Sequence, residues 1–139
     1  MAQVADGTAD EGDHLVVPVA GAIVELVCVD YAVTYHLSAT NGMWELRLES
    51  AFVVTSNGAE RLVVPGSGAN LSAALDVLRA EVVEAVAYKD GALRVSCSDG
   101  IEVAAPPDEG YEAWTLTGPL GARLVSLPGG EVAGWSPDA

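Results

Sequence analysis

Short runs of alternating apolar and polar residues, closed by Asn-Gly and Asp-Gly turns, recur along this chain and constrain it to antiparallel sheet. Ala32 to Ser38 sets Val33, Tyr35 and Leu37 against Thr34, His36 and Ser38, and Met43 to Glu49 sets Trp44, Leu46 and Leu48 against Glu45, Arg47 and Glu49. A period of two sends alternate side chains to opposite faces, so each run predicts one buried face and one wet face. Between them, Thr40-Asn41-Gly42 predicts a type I′ hairpin, whose two central residues both need positive φ. Ile23 to Val29 comes first and is nearly all apolar. That run predicts a strand central in its sheet or buried on both faces, with Asp30-Tyr31 turning the chain after it.

The same plan returns later. Val82 to Tyr88 repeats Ile23 to Val29, with Glu84 falling on Glu25; Lys89-Asp90-Gly91 leads into Ala92 to Cys97, and Ser98-Asp99-Gly100 into Ile101 to Ala104. Internal duplication produces such a pattern, and so does reuse of a simple antiparallel meander. A third unit, Tyr111 to Trp135, has the same order of parts with Gly118-Pro119-Leu120-Gly121 and Pro128-Gly129-Gly130 as its turns. Trp114 and Leu116 share one face of its first strand and are expected in the core, with Trp135 sealing the sheet. The alternative makes Tyr111, Trp114 and Trp135 exposed anchors for a partner. Phe52 to Thr55 and Arg61 to Val64 are shorter strands around Ser56-Asn57-Gly58. One helix is predicted near residues 70–80, with Asn70 as N-cap and Leu71, Ala74, Leu75 and Leu78 as its apolar stripe.

These parts predict a single α+β domain over residues 14–139, predominantly antiparallel β in repeated three-stranded meanders, with the helix packed on the sheet. At 139 residues the chain is long enough for one self-supporting core. Twenty acidic residues against six basic ones give a formal charge of −14. That balance argues against nucleic acid and against an anionic membrane surface, both of which call for clustered Lys and Arg. It serves either colloidal stability or a negative face for a basic protein. Residues 1–13 carry Asp6, Asp10, Glu11 and Asp13 and no basic residue, the reverse of a secretory n-region, and are expected to form a flexible acidic tail. The apolar run Leu15 to Val24 is broken by Pro18 and Gly21 and is too short to span a bilayer. A cytoplasmic protein is expected, with Cys28 and Cys97 as buried free thiols.

Catalytic motifs are sparse. His14 and His36 stand in no metal-binding spacing, and Gly66-Ser67-Gly68 lacks the lysine of a phosphate loop. The expectation is a protein that is not an enzyme and uses no cofactor or metal.

Tyr111-Glu112-Ala113-Trp114, followed by Pro128-Gly129-Gly130-Glu131, resembles the ending of a family of small, uncharacterised GC-rich bacterial proteins. The meander from Val24, Phe52 at its close and Asp99-Gly100 are also similar, so the resemblance covers nearly everything after the tail. The family has no assigned activity. The resemblance hints at immunity-like proteins that accompany secreted bacterial toxins, and no functional residue transfers with it. The leading expectation is an immunity-type inhibitor presenting an acidic surface to a basic toxin or enzyme, with Glu45, Glu49, Asp108, Glu109 and Glu112 as contact charges. The alternative is a structural module that forms a homodimer through its strand edges.

Overall fold

In the computed structural model, which describes residues 8–135, the alternating runs become strands in two antiparallel sheets. In chain order they are β1 (Ala9–Asp10), β2 (His14–Val17), β3 (Ile23–Val29), β4 (Val33–Ala39), β5 (Gly42–Leu48), β6 (Phe52–Ser56) and β7 (Ala59–Val63). After α1 (Leu71–Ala74) come β8 (Val82–Tyr88), β9 (Leu93–Cys97), β10 (Glu102–Ala105), β11 (Trp114–Thr117), β12 (Arg123–Ser126) and β13 (Val132–Trp135). The three meanders are therefore present. The first and third join through β5 and β11 into a six-stranded sheet ordered β13-β12-β11-β5-β4-β3, while the second belongs to a seven-stranded sheet ordered β1-β2-β8-β9-β10-β6-β7.

The inward residues of both sheets form one apolar core. Tyr35, Trp44, Leu46, Leu48, Trp114 and Leu116 come from the six-stranded sheet, and Leu15, Val17, Phe52, Val54, Leu93, Val95 and Val103 from the seven-stranded one. Trp114 and Leu116 are buried as their alternation predicts. The side chain of Trp135 and residues 1–7 lie outside the described residues. Within the stretch read as a tail, Ala9 and Asp10 pair with Val16 and Leu15, and Lys89 Nζ donates to Asp10 Oδ1 at 2.8 Å.

Two stitches at the ends of β8 hold the sheets together. At its start, Val82 N–H donates to Ala22 O and Gly21 N–H to Val82 O, both at 2.7 Å, while Val24 N–H donates to Ala80 O at 3.0 Å. The chain thus leaves β2 in one sheet and enters β3 in the other without losing β8 as a neighbour. At the far end, the buried carbonyl of Gly91 accepts from Trp114 Nε1 at 2.9 Å and from Ser126 Oγ at 2.7 Å. Pro128-Gly129-Gly130 closes over the same turn. A Cβ on Gly130 would stand 2.6 Å from Asp90 O, and its φ of +101° is itself a glycine conformation.

Several expectations change. β3 is an edge strand and not a central one, and Ile23, Leu26 and Val29 are exposed. An unbroken apolar run does not by itself report how many faces are covered. Cys28 is consequently exposed, whereas Cys97 is buried. The two β-bulges also correct the repeat alignment: the ladder shifts between Val24 and Leu26 in one unit and between Val82 and Glu84 in the other, so Val82 corresponds to Val24 and Glu84 to Leu26. The Asn41-Gly42 turn is not type I′. Ala39 pairs with Gly42, which leaves Thr40 and Asn41 at the tip, and only Gly42 has positive φ. Asn41 instead accepts from Trp44 Nε1 at 2.9 Å and donates to Pro18 O at 3.0 Å. Asn57-Gly58 and Asp99-Gly100 do carry paired positive φ.

The helix is shorter than its stripe implies. One α-turn, Leu71–Ala74, runs into a 3-10 turn over Leu75–Val77; Leu78 is extended, and Arg79 is left-handed at φ 72°. Arg79 N–H must reach Val24 O at 2.7 Å, and that tether ends the helix early. Ala73, Ala74 and Val77 are buried, but Leu75 and Leu78 are exposed. Asn70 makes no cap bond and donates through Nδ2 to Leu62 O at 2.8 Å. Tyr35 Oη donates to Ala74 O at 2.9 Å and fastens the short helix to the six-stranded sheet; burial pushes that hydroxyl above the usual tyrosine range.

The latch at Gly91 makes a stability prediction. Ser126→Ala should cost about 1–2 kcal/mol in urea unfolding, and Gly130→Ala about 3 kcal/mol or more from backbone collision and strain together. Gly129→Ala is the control, because its φ of +83° carries strain but nothing lies within 4 Å of an added Cβ. Equal costs for Gly129→Ala and Gly130→Ala would show that the close approach is unimportant.

Candidate partner-binding face

The outward residues of the six-stranded sheet form a charged surface that the strand register organises. Period-two alternation sends Thr34 and His36 outward from β4, Glu45 and Arg47 from β5, and Thr115 and Thr117 from β11. The ladder places Glu45 between His36 and Thr117, and Arg47 between Thr34 and Thr115, while Thr117 faces Arg123 on β12. Directly opposed side chains in antiparallel pairs lie within contact range, so register alone assembles this mosaic.

An open cleft of about 250 Å³ follows, lined by Thr34, Glu45, Arg47, Glu49, Glu112, Thr115, Thr117 and Arg123. Arg47 organises it. Its Nε donates to Glu49 Oε1 at 3.2 Å, and its Nη1 lies 3.4 Å from both Asp30 Oδ2 and Thr34 Oγ1. Glu49, and secondarily Asp30, hold the guanidinium in its charged form. The Ala32 N–H bond, reinforced by Arg47, keeps the Asp30 carboxyl below its usual range. These groups are substantially exposed, and pairs of that kind contribute about 0–1 kcal/mol each. Their value lies in fixing where charge is displayed. His36 Nε2 reaches Glu45 Oε1 at 3.5 Å on the same face.

Of the five charges singled out from the sequence, the fold brings together Glu45, Glu49 and Glu112. Asp108 and Glu109 do not line this cleft. Asp108 is a loop fastener: Oδ2 accepts from Ser50 Oγ, Oδ1 from Gly110 N–H, and its carbonyl from Gly129 N–H, each at 2.8 Å. Glu109 is exposed. The sequence reading missed Asp30, Arg47, Thr115 and Arg123 as parts of the face. Alternation signals that Arg47 points outward, but no local pattern announces that β5 pairs with β11. Of the aromatic anchors considered, Trp114 is fully buried, whereas Tyr111 is 70% exposed beside Glu112. Among the described residues, no group of three or more His, Cys, Asp or Glu is arranged to hold a metal ion, and no helix is long and apolar enough to cross a membrane.

The Asp108 contacts set an acid sensitivity. The Gly110 N–H and the Ser50 hydroxyl hold its carboxyl below the usual carboxylate range. Stability from this group is therefore complete above the unfolded carboxylate value of about 4 and is lost as pH falls through the lower folded value. The melting-temperature gap between the parent protein and Asp108→Asn should be widest near neutrality and should shrink below about pH 4. A gap that widens on acidification would show that Asp108 does not stabilise the fold as a carboxylate.

Comparison with curated proteins and with solved structures returned no significant match. Residues 15–136, which include both sheets except β1 and the first residue of β2, match the profile described as "Family of unknown function (DUF6188)". The match covers most of the chain, and the protein belongs to that family.

Proposed function

We propose that this is a non-enzymatic binding protein that offers the outer face of its six-stranded sheet to a basic protein partner. The observation that carries this reading is the gathering of Glu45 and Glu49 with Glu112, which is remote from both in sequence, around one open cleft. A chain of net charge −14 adds long-range attraction for a cationic surface, which speeds encounter and penalises acidic competitors. Arg47 and Arg123 within the acidic rim supply register, because a partner must match an alternating pattern and not a uniform field. The open cleft suits a protein surface better than an enclosed small substrate. The immunity-type form of the proposal, in which the partner is a basic toxin or enzyme and the face blocks it, rests on the family resemblance. The free thiols Cys28 and Cys97 support a reducing, cytoplasmic setting.

A second reading has one observation in its favour: the edge strand β3 exposes Leu26 and Val29, an apolar border suited to pairing with a second copy.

Affinity capture from native lysate, with partners identified by mass spectrometry, distinguishes the two. The binding reading expects a basic protein whose capture falls as salt rises. With the purified partner, the triple variant Glu45→Gln, Glu49→Gln, Glu112→Gln should slow association about tenfold or more at low salt, while Glu109→Gln should change little. Unchanged association by the triple variant would remove this face from the interface. Recovery of the protein itself alone, with a dimer mass in sedimentation, would establish the edge-pairing module instead.

A further inference from the structure

We propose that the outer face of the seven-stranded sheet docks a basic amphipathic helix of a partner protein, laid across the strands. Register builds this face. Val16 lies opposite Val86, Val86 opposite Arg94, Arg94 opposite Ala104, Ala104 opposite Val53, and Val53 opposite Leu62. An apolar row interrupted once therefore crosses six strands, β2-β8-β9-β10-β6-β7. The alternate residues Leu15, Val17, Val54, Val95 and Val103 point the other way, into the core. The wet face of an antiparallel sheet is commonly polar; here Leu62 is 51% exposed, and Val16, Val53 and Ala104 are partly exposed. A contiguous apolar strip of that kind marks a contact surface.

Two residues along each strand, about 7 Å away, a second row carries charge. Glu84 lies opposite Ser96, Ser96 opposite Glu102, Glu102 opposite Thr55, and Thr55 opposite Glu60. Carboxylates thus recur on every second strand, β8, β10 and β7, about 10 Å apart at the usual strand spacing. Arg94 stands between the rows. Its Nε lies 3.5 Å from Glu102 Oε1, which draws the charged head to the acidic row and leaves the stem on the apolar one. Lys89, at the corner of the face, is held by Asp10 at 2.8 Å, and Arg61 lies opposite Val54 on the inward side and pairs with Asp76 at 3.9 Å. The face therefore keeps an acidic border for a cationic partner.

The spacing suits a helix. Cations placed seven residues apart on an α-helix rise about 10.5 Å, the interval of the three carboxylates, and an apolar stripe beside them falls on the apolar row. About 16 helical residues span the six strands. An extended segment laid in the same direction repeats each side about every 7 Å and matches neither row. On the side away from the carboxylates, a trough of about 320 Å³ lies among Val53, Tyr88, Ala92, Arg94, Ala104 and Pro106, with room for one bulky apolar anchor. An anionic lipid surface would meet the same carboxylates as repulsion. This face is on the far side of the sandwich from Glu45, Glu49 and Glu112, and docking here does not depend on the partner reading above.

Titration of the full chain with a synthetic helical peptide of about 18 residues, bearing a leucine stripe flanked by lysines seven residues apart, tests the proposal by calorimetry and amide chemical shifts. A peptide of the same composition with its lysines scattered through the stripe controls for net charge. Shifts are expected at Val16, Val53, Val86 and Ala104, with binding about tenfold tighter than the control. The triple variant Glu60→Gln, Glu84→Gln, Glu102→Gln should weaken binding about tenfold at low salt and flatten its salt dependence. Leu62→Ser, at an exposed position outside the core, should weaken it at all salt concentrations. The opposite-face variant Glu45→Gln, Glu49→Gln, Glu112→Gln should bind the peptide as the parent does, so the two faces fail separately. Equal binding of the two peptides, shifts confined to the six-stranded sheet, or a peptide-free dimer that buries this face would overturn the proposal.

Discussion

The carbonyl oxygen of Gly91 is one of the two points at which hydrogen bonds join the two sheets. It belongs to the β8–β9 turn of the seven-stranded sheet, yet both of its donors, Trp114 Nε1 and Ser126 Oγ, come from the six-stranded sheet. All three groups are buried, and an unpaired carbonyl there would cost about 1–3 kcal/mol of desolvation. The turn around it is sterically full, because Cβ atoms at Gly91 and Gly130 would collide with Pro107 and with Asp90 O. Trp114 and Pro128-Gly129-Gly130, the residues most conspicuous near the C-terminus, therefore serve the closure of the sandwich.

That closure has a consequence for the surface. With Trp114 drawn inward to Gly91, the alternation of β11 sends Thr115 and Thr117 outward, and pairing with β5 sets them beside Arg47 and Glu45. The binding face is thus the reverse side of the core packing. A one-residue slip of β11 would bury Thr115 and expose Trp114, and the energetic penalty of exposing an indole keeps the register in place. The same reasoning applies at the other border. Val24 must be buried and bonded to Ala80, and the bulge after it resets the phase so that Leu26 and Cys28 face outward on the side of His36.

Much of this was legible from local pattern. The three meanders, the core role of Trp114 and Leu116, and the outward direction of Glu45 and Glu49 all follow from period-two alternation and turn chemistry. Elements whose conformation answers to distant tethers were less legible. Asn41 has the sequence of a left-handed hairpin residue but is recruited by Trp44 and Pro18. Leu75 and Leu78 belong to a helical stripe, but Arg79 is called away to Val24 and the last turn never forms. Asp108 reads as one more surface acid but is committed to Ser50 and Gly110.

By itself, then, the sequence determined the strand inventory, most of the inward and outward faces, and the acidic character of the molecule, because these depend on side-chain periodicity and composition within a few residues. Tertiary structure alone decided which meanders share a sheet, that the most apolar strand lies at an edge, and which acids gather around Arg47. The physical reason is that strand order and register are set by hydrogen-bond ladders and core contacts between residues far apart in the chain, such as Trp114 with Gly91 and Thr115 with Arg47. No local window contains both partners.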